Sequence, residues 1–187
     1  MKPLQLTIAL LGTITTLSAV DFTPTFSVKK LEKFSIPVIT FHHGDKHASF
    51  KPPPGWKSIG ESEGLTLSPA DVRDASMKFL SLPWSAEKAA KLGDSAAESK
   101  WALGYLPPSA TEPEIIATNE SPYMLGIRPS REWVIKYRIE GIVHETSVSR
   151  CDISAQERIV ILLSAPAQSF ERVRQDGISS LFSWEWL

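Results

Sequence analysis

Cysteine is almost absent from this chain of 187 residues, in which Cys151 stands alone. No intramolecular disulfide can form, so packing and polar contacts must hold the folded state together. A single thiol acts as a nucleophile only beside a base and a group that orients the base, and the sequence identifies neither. We therefore expect Cys151 to be a small buried side chain near the end of a strand.

Excess charge of either sign is also absent. The 20 Lys and Arg residues nearly balance the 21 Asp and Glu residues, which leaves a formal net charge of -1. Nucleic acids and anionic membranes select proteins with a basic excess, so we expect neither as a partner. Apolar residues are plentiful, with 42% hydrophobic residues, six Trp and eight Phe. They suffice for the core of one ordinary domain.

Several catalytic motifs are missing. The chain has no P-loop, no H-E-x-x-H zinc motif and no G-x-G-x-x-G dinucleotide motif. Pairs of acids such as Glu61 and Glu63 are typical of a solvated surface. We therefore predict that the protein is not an enzyme.

The first residues follow the plan of a secretory signal peptide. Lys2 is followed by an uncharged apolar stretch to residue 17, and then by the small residues Ser18 and Ala19. The apolar stretch is shorter than the roughly 20 residues that cross a membrane. We predict a signal peptide over residues 1–19 and an exported protein, periplasmic or secreted, with no membrane span after cleavage. A buried strand or core helix is the alternative.

Periodicity divides the rest of the chain into a linker and one domain. Residues 20–33 mix Pro, Thr and Lys without a sustained period and predict a linker; the domain is predicted over 34–187. Alternating or continuous apolar runs predict strands over 34–41, 64–69, 74–82, 114–119, 123–127, 132–141, 142–151 and 157–165. Capping signals and three- and four-residue spacing predict helices over 85–92, from Ser95, and over the C-terminal segment from Ser164. This order predicts an α+β layered domain around a mainly antiparallel sheet.

The same segments, taken in order, resemble the PsbP/Mog1-like superfamily. They are an early strand, the F-x-PPPGW pattern of 50–56, a helical middle, the W-x-I-x-Y strand of 133–137, and LLSAPAQSFERVR at 162–174. The resemblance covers about residues 34–187 and implies an αβα sandwich with a central antiparallel β-sheet. It also implies a domain that binds partner proteins without catalysis, as in the extrinsic subunit of the oxygen-evolving photosystem and a Ran-binding factor. The predicted leader favours an exported bacterial relative.

Three of the four histidines lie close together. A two-residue turn at Gly44-Asp45 would place His42 opposite His47, with Cβ atoms about 4.5–5.5 Å apart. Both imidazoles could then reach one Zn or Cu ion, with Asp45, or the distant His144-Glu145 pair, as further ligands. The alternative is a polar hairpin tip. A metal-binding protein or metal-assisted hydrolase built on His42 and His47 is thus the alternative function.

Tryptophans supply the candidates for partner binding. Trp56 follows three prolines that favour a stiff extended segment, and it either enters the core or forms part of a recognition surface. Trp184 and Trp186 lie near the C-terminus and either bind a partner or pack a helix on the sheet. We predict an exported, non-enzymatic binding or accessory protein that presents a rigid αβα surface to a partner protein. No cofactor is expected unless the histidine pair binds metal.

Overall fold

A computed structural model describes residues 20–30, 32–33, 35–85, 95–120, 123–125 and 130–187. The predicted signal peptide over 1–19 lies outside these residues, as does the predicted helix over 85–92 apart from Ser85. No helix within the described ranges is long and apolar enough to cross a membrane.

The described residues form eleven strands and two helices. In chain order these are β1 (Asp21–Lys30), β2 (Ser35–His43), β3 (Lys46–Phe50), β4 (Lys57–Glu61), β5 (Gly64–Ser68), β6 (Ser76–Pro83), α1 (Ser95–Leu103), β7 (Thr111–Glu120), β8 (Arg131–Ile139), β9 (Ile142–Asp152), β10 (Glu157–Pro166), α2 (Ala167–Leu181) and β11 (Glu185–Trp186).

A large antiparallel sheet forms the centre of the domain. Seven strands follow the order β4-β5-β6-β10-β9-β8-β7, and every neighbouring pair is antiparallel. The central strand β10 is apolar on both faces: Val160 packs with Trp133 and Ala102, whereas Ile161 and Leu163 belong to the main core on the other side. Both faces of β10 are therefore covered, as its uninterrupted apolar run predicts.

Helices cover the two faces of this sheet. Ala102 of α1 packs on one face, and Phe170 and Val173 of α2 pack on the other. A four-stranded sheet of order β1-β2-β3-β11 shares the layer of α2, with Phe50 of β3 lying 5.5 Å from Phe79 of β6 between ring centroids. The predicted α+β fold with a central antiparallel sheet between helical layers is thus confirmed. The second sheet is an addition to it.

The C-terminal helix follows its predicted spacing. Its buried residues include Phe170, Val173, Gly177 and Leu181, which recur at three- and four-residue steps along one face. The absence of a side chain at Gly177 lets α2 lie close to the sheet, since an added Cβ would stand 2.4 Å from Cδ1 of Leu163. The helix ends at Leu181, so Trp184 lies beyond it.

Two sequence-based assignments need correction. Residues 20–33 are not a linker, because Asp21–Lys30 form β1 and pair with β2. Val20 and Phe22 are almost fully buried, with Phe22 5.2 Å from Phe41 between ring centroids. The strand was hidden because polar and proline residues interrupt its alternation. The strand predicted over 123–127 is also not formed across its described part, Tyr123–Leu125.

Candidate functional site

One part of the small sheet projects beyond the body of the domain. Strand β3 pairs with β2 only from Ile39 onward, so residues 27–30 of β1 and 35–38 of β2 pair with each other alone. We call residues 25–30 of β1 together with residues 35–38 of β2 the exposed ribbon. Pro37 lies within it, at a position where β2 has no second neighbour among the described strands, as proline in a strand requires.

The exposed ribbon carries apolar side chains on the face that continues the core. Phe26 pairs directly with Ile39, and Val28 with Pro37, so all four lie on one face of the sheet. Ile39 is 1% exposed, whereas Phe26 is 61% and Val28 59% exposed. The apolar face of the small sheet therefore runs from the core into solvent.

A groove adjoins this face. It has a volume of about 530 Å³, and its walls come from Ser35–Pro37 of the ribbon, the segment Lys51–Pro54 and the end of α2 near Ser180. The backbone N–H of Lys51 donates to Oγ of Ser183 at 2.7 Å, which holds the proline segment against the end of the helix. Pro37 faces Val28 and also lines the groove, so the two surfaces are continuous.

The rim of this surface is mainly basic. Lys29 and Lys30 lie on the ribbon, Lys33 lies between β1 and β2, and Lys51 lines the groove; all four are exposed, and the nearby acidic residues are Glu32 and Asp176. Lysine on an outer strand also discourages pairing with a second copy of the same edge. The composition, an apolar centre with a charged rim, is typical of a surface that binds another protein. Sequence reasoning missed it because the composition of residues 20–33 predicts a linker.

The tryptophans predicted to bind a partner are engaged in packing. Trp184 stacks on Phe41 and Phe50 at ring-centroid distances of 6.0 and 5.7 Å. Nε1 of Trp186 donates to the carbonyl oxygen of Leu125 at 2.5 Å. Trp56 is partly buried and packs against the main core. These contacts correspond to the packing alternative, and partner binding through Trp56, Trp184 or Trp186 stays a prediction.

The histidine hairpin has the predicted register. His42 pairs with His47 across β2 and β3, and their ring centroids lie 4.6 Å apart in an edge-to-face arrangement. Asp21 of β1 pairs with His42 from the other side. The Thr23 backbone N–H donates to Asp21 and lowers the pKa of that carboxyl group, with a smaller contribution from His42.

Among the described residues, the other predicted ligands do not form a metal-binding group with His42 and His47. Asp45 lies in the turn, and His144 stacks on Tyr137 with 5.8 Å between ring centroids. Across the described ranges, no group of three or more His, Cys, Asp or Glu side chains is placed to hold a metal ion. The structure therefore brings His42 and His47 together, and metal binding by them stays a prediction.

A second concavity, of about 490 Å³, opens on the α1 face of the large sheet. The hydroxyl of Tyr137 lies 3.0 Å from those of both Thr146 and Ser164, and Thr146 donates to Ser164 at 2.8 Å. Burial raises the pKa of Tyr105, which also lines the concavity. Because these hydroxyls come from separate segments of the chain, no local motif could have revealed them. They bond to one another and form a polar floor.

The G-x-S-x-G pattern, which we did not expect in this chain, does occur. Residues 60–64 read G-E-S-E-G and fit the G-x-S-x-G pattern of α/β-hydrolases. That motif requires a turn from a strand into a helix, whereas Ser62 lies in the turn between β4 and β5. The carbonyl oxygen of Ser62 accepts a hydrogen bond from the backbone N–H of Phe22 at 3.1 Å. The structural context of a catalytic serine is missing at this turn.

Cys151 is fully buried, as expected. Burial raises the pKa of its thiol to about 12, and the hydroxyl of Ser130 donates to its sulfur at 3.1 Å. A thiol that stays protonated at neutral pH is a poor nucleophile.

Comparison with known proteins gives structural similarities only. No protein-family model and no curated protein matches the chain. The solution structure of cyanobacterial PsbP (CyanoP) from Synechocystis sp. PCC 6803 is 12% identical, with 95% of this chain and 98% of that chain covered and a TM-score of 0.48. LpqN, involved in cell envelope biogenesis of Mycobacterium tuberculosis, is 14% identical, with 80% and 90% covered and a TM-score of 0.48.

A third similar structure, from Bacteroides thetaiotaomicron VPI-5482, is 12% identical over 74% of this chain, with a TM-score of 0.44. This chain spans 44% of that protein's length. The PsbP structure bears the name of the family that the sequence pattern resembles, and the α+β architecture is the one that this resemblance implies. At such identities and TM-scores, no site or activity carries over to this chain.

Proposed function

We propose that this is an exported accessory protein that binds a partner protein through the exposed ribbon and the groove beside it. The observation that carries the proposal is the exposure of Phe26 and Val28 on the same face as the buried Ile39. The proposal deepens the expectation of a rigid binding surface by assigning a location to it.

The apolar side chains of the ribbon have free energy of burial still to gain. Full burial of a Val or Phe side chain is worth about 1.5–3 kcal/mol relative to exposure. Phe26 and Val28 gain little of this within the domain, since they are 61% and 59% exposed. A partner that covered both would recover that free energy, and aromatic residues are frequent among the side chains that dominate binding.

Rigidity supports the same reading. Each proline of Pro52–Pro54 fixes its own φ angle, and the hydrogen bond from Lys51 to Ser183 anchors the start of the segment. A preformed groove loses little conformational entropy on binding. We therefore infer a partner that inserts an apolar segment between ribbon and helix and presents acidic side chains to the lysines at the rim.

Site-specific crosslinking tests this proposal. A photoreactive amino acid replaces Val28 in one chain and Ile142 in another. Ile142 is a matched control because it is 58% exposed and begins β9. We expect one protein of defined mass to be captured from position 28 and not from position 142.

Affinity with the captured protein then provides the decisive measurement. Phe26→Ser and Val28→Ser should each raise the Kd about tenfold or more, as loss of a dominant contact does. Ile142→Ser should leave the Kd unchanged. Equal effects of the ribbon variants and the control, or no effect of either ribbon variant, would refute the assignment of this surface.

A further inference from the structure

A buried carboxylate, that of Glu157, contacts Val20, the first residue that the structure describes. Glu157 of β10 is 4% exposed, and its Oε1 accepts a hydrogen bond from the backbone nitrogen of Val20 at 2.6 Å. Val20 itself is 1% exposed and belongs to the main core. The backbone nitrogen of Val20, the residue that follows the predicted leader, is therefore bonded to a buried carboxylate group.

Among the described residues, the other contacts of the Glu157 side chain provide hydrogen bonds but no fixed positive charge. Oγ of Ser81 donates to Oε1 at 3.0 Å, and Nε2 of His43 pairs with Oε2. An imidazole carries a full charge only when it is protonated. Burying a carboxylate is costly unless a positive group compensates it.

An α-amino group at Val20 would supply that charge. Because the Val20 nitrogen lies 2.6 Å from Oε1 of Glu157, an ammonium group there would place its positive charge in direct contact with the carboxylate. An ammonium group also offers three N–H donors where a peptide nitrogen offers one. The site thus fits the product of cleavage before Val20 better than the uncut chain.

We propose that the leader is removed between Ala19 and Val20 and that Glu157 receives the new N-terminal ammonium group in a buried ion pair. This inference rests on the predicted signal peptide and is independent of the proposed partner-binding function. Hydrolysis of the Ala19–Val20 peptide bond adds water, leaving a carboxylate on the leader and an ammonium group on Val20. Removal of the leader then stabilises the folded domain, and the precursor is the less stable form.

The mass of the exported protein tests the first half of the proposal. The full chain is produced in a bacterial host, and the secreted or periplasmic product is analysed by intact mass spectrometry and N-terminal sequencing. A product that begins at Val20 is expected. A product that begins at any other residue refutes the proposal.

Three matched forms test the second half. One begins with a free Val20 amine, one carries an acetyl group on that nitrogen, and one has Gly-Ser inserted before Val20. Unfolding in urea at pH 7 measures the folding equilibrium constant of each form. The constant should be about tenfold greater for the free-amine form than for the other two, which corresponds to a one-unit rise in the pKa of the amine.

The ratio of the folding equilibrium constant of the free-amine form to that of each other form should depend on pH with a definite sign. The pKa of the amine in the folded state is raised above its unfolded value of about 8, so the stabilisation is complete below pH 8 and disappears as pH rises through the folded value. His43, Asp21 and Glu63 also face this region, from β2, β1 and the β4–β5 turn. All three side chains are present in every form that is compared.

Glu157→Gln should abolish the advantage of the free amine. A ratio of one at pH 7, or an unchanged ratio in Glu157→Gln, would overturn the proposal. If Glu157→Gln does not fold, the acetylated and extended forms still decide, because both keep Glu157 and lack an ammonium group at Val20.

Discussion

Replacement of Arg174 by methionine should strongly destabilise the domain, because it strands a buried charge. Glu132 of β8 is 1% exposed. Arg174 of α2 donates to both of its oxygens, with Nε 3.0 Å from Oε1 and Nη2 2.6 Å from Oε2, and Ser147 donates to Oε1 at 2.5 Å. Removal of one partner from such a pair typically costs about 3–5 kcal/mol.

The same helix provides a control. Arg172 pairs with Asp71 at 2.8 Å, but these side chains are 55% and 64% exposed. Exposed pairs contribute about 0–1 kcal/mol, so Arg172→Met should be nearly neutral. The free energy of unfolding of both variants is measured in urea at pH 7. Because the same substitution is made at both positions, the two values compare the loss of a buried ion pair with the loss of an exposed one.

Lowering the pH should reduce the difference in the free energy of unfolding between the wild type and Arg174→Met. Burial raises the pKa of Glu132, but the hydrogen bonds from Arg174 and Ser147 outweigh it and hold the pKa below its usual range. In the wild type this contribution is present above the unfolded pKa and is lost as pH falls through the folded pKa. Without Arg174 burial dominates, so protonation of Glu132 relieves the cost as pH falls.

A loss in Arg174→Met no larger than that in Arg172→Met would refute this reasoning. So would a difference from the wild type that stays constant between pH 7 and pH 4. Glu132→Gln combined with Arg174→Met should recover part of the stability at pH 7, because the double variant buries no charge.

Three other features give shorter predictions. Gly177→Ala should lower the free energy of unfolding by about 1–3 kcal/mol through overpacking, and the higher helix propensity of alanine should offset about 1 kcal/mol of this loss. A rise in the urea midpoint would contradict the close packing at Gly177. Cys151 should react with Ellman's reagent only as fast as the protein unfolds, because burial raises the pKa of its thiol to about 12; a rapid phase at pH 8 would contradict its burial. Zinc titrated into the wild-type domain should release no more heat than into His42→Ala combined with His47→Ala, since two imidazoles make a weak site; a clear excess of heat would establish a metal centre.

Local chemistry was sufficient to predict much of the fold. The turn residues Gly44 and Asp45 predicted the register of β2 and β3, because the length of a two-residue hairpin loop determines which residues lie opposite each other. The uninterrupted apolar run of β10 predicted a strand covered on both faces. The spacing of apolar residues predicted α2. Each of these signals lies within a few residues of the feature that it specifies.

Features that depend on distant segments could not be derived in this way. The row formed by Asp21, His42 and His47 crosses three strands, and Asp21 joins it only because β1 pairs with β2. The hydroxyls of Tyr137, Thr146 and Ser164 meet through the pairing of β8, β9 and β10. Sequence separation gave no indication of either contact. Sheet topology had to be known first.

Residues 20–33 were predicted to be a linker although they contain β1, and the physical reason for this bears on function. Secondary structure is recognised from alternation because one face of a strand is normally buried, but β1 buries Phe22 at one end and leaves Phe26 and Val28 exposed at the other. A strand that is only half covered by its own domain shows the composition of a linker along the uncovered half. If a partner covers that half, Phe22, Phe26 and Val28 are all buried on one face, and the alternation from residue 22 to residue 28 is that of an ordinary strand. Loss of partner binding in Phe26→Ser without loss of domain stability would therefore show that the apolar residues of this half serve the interface, whereas a matching loss of stability would assign them to the fold.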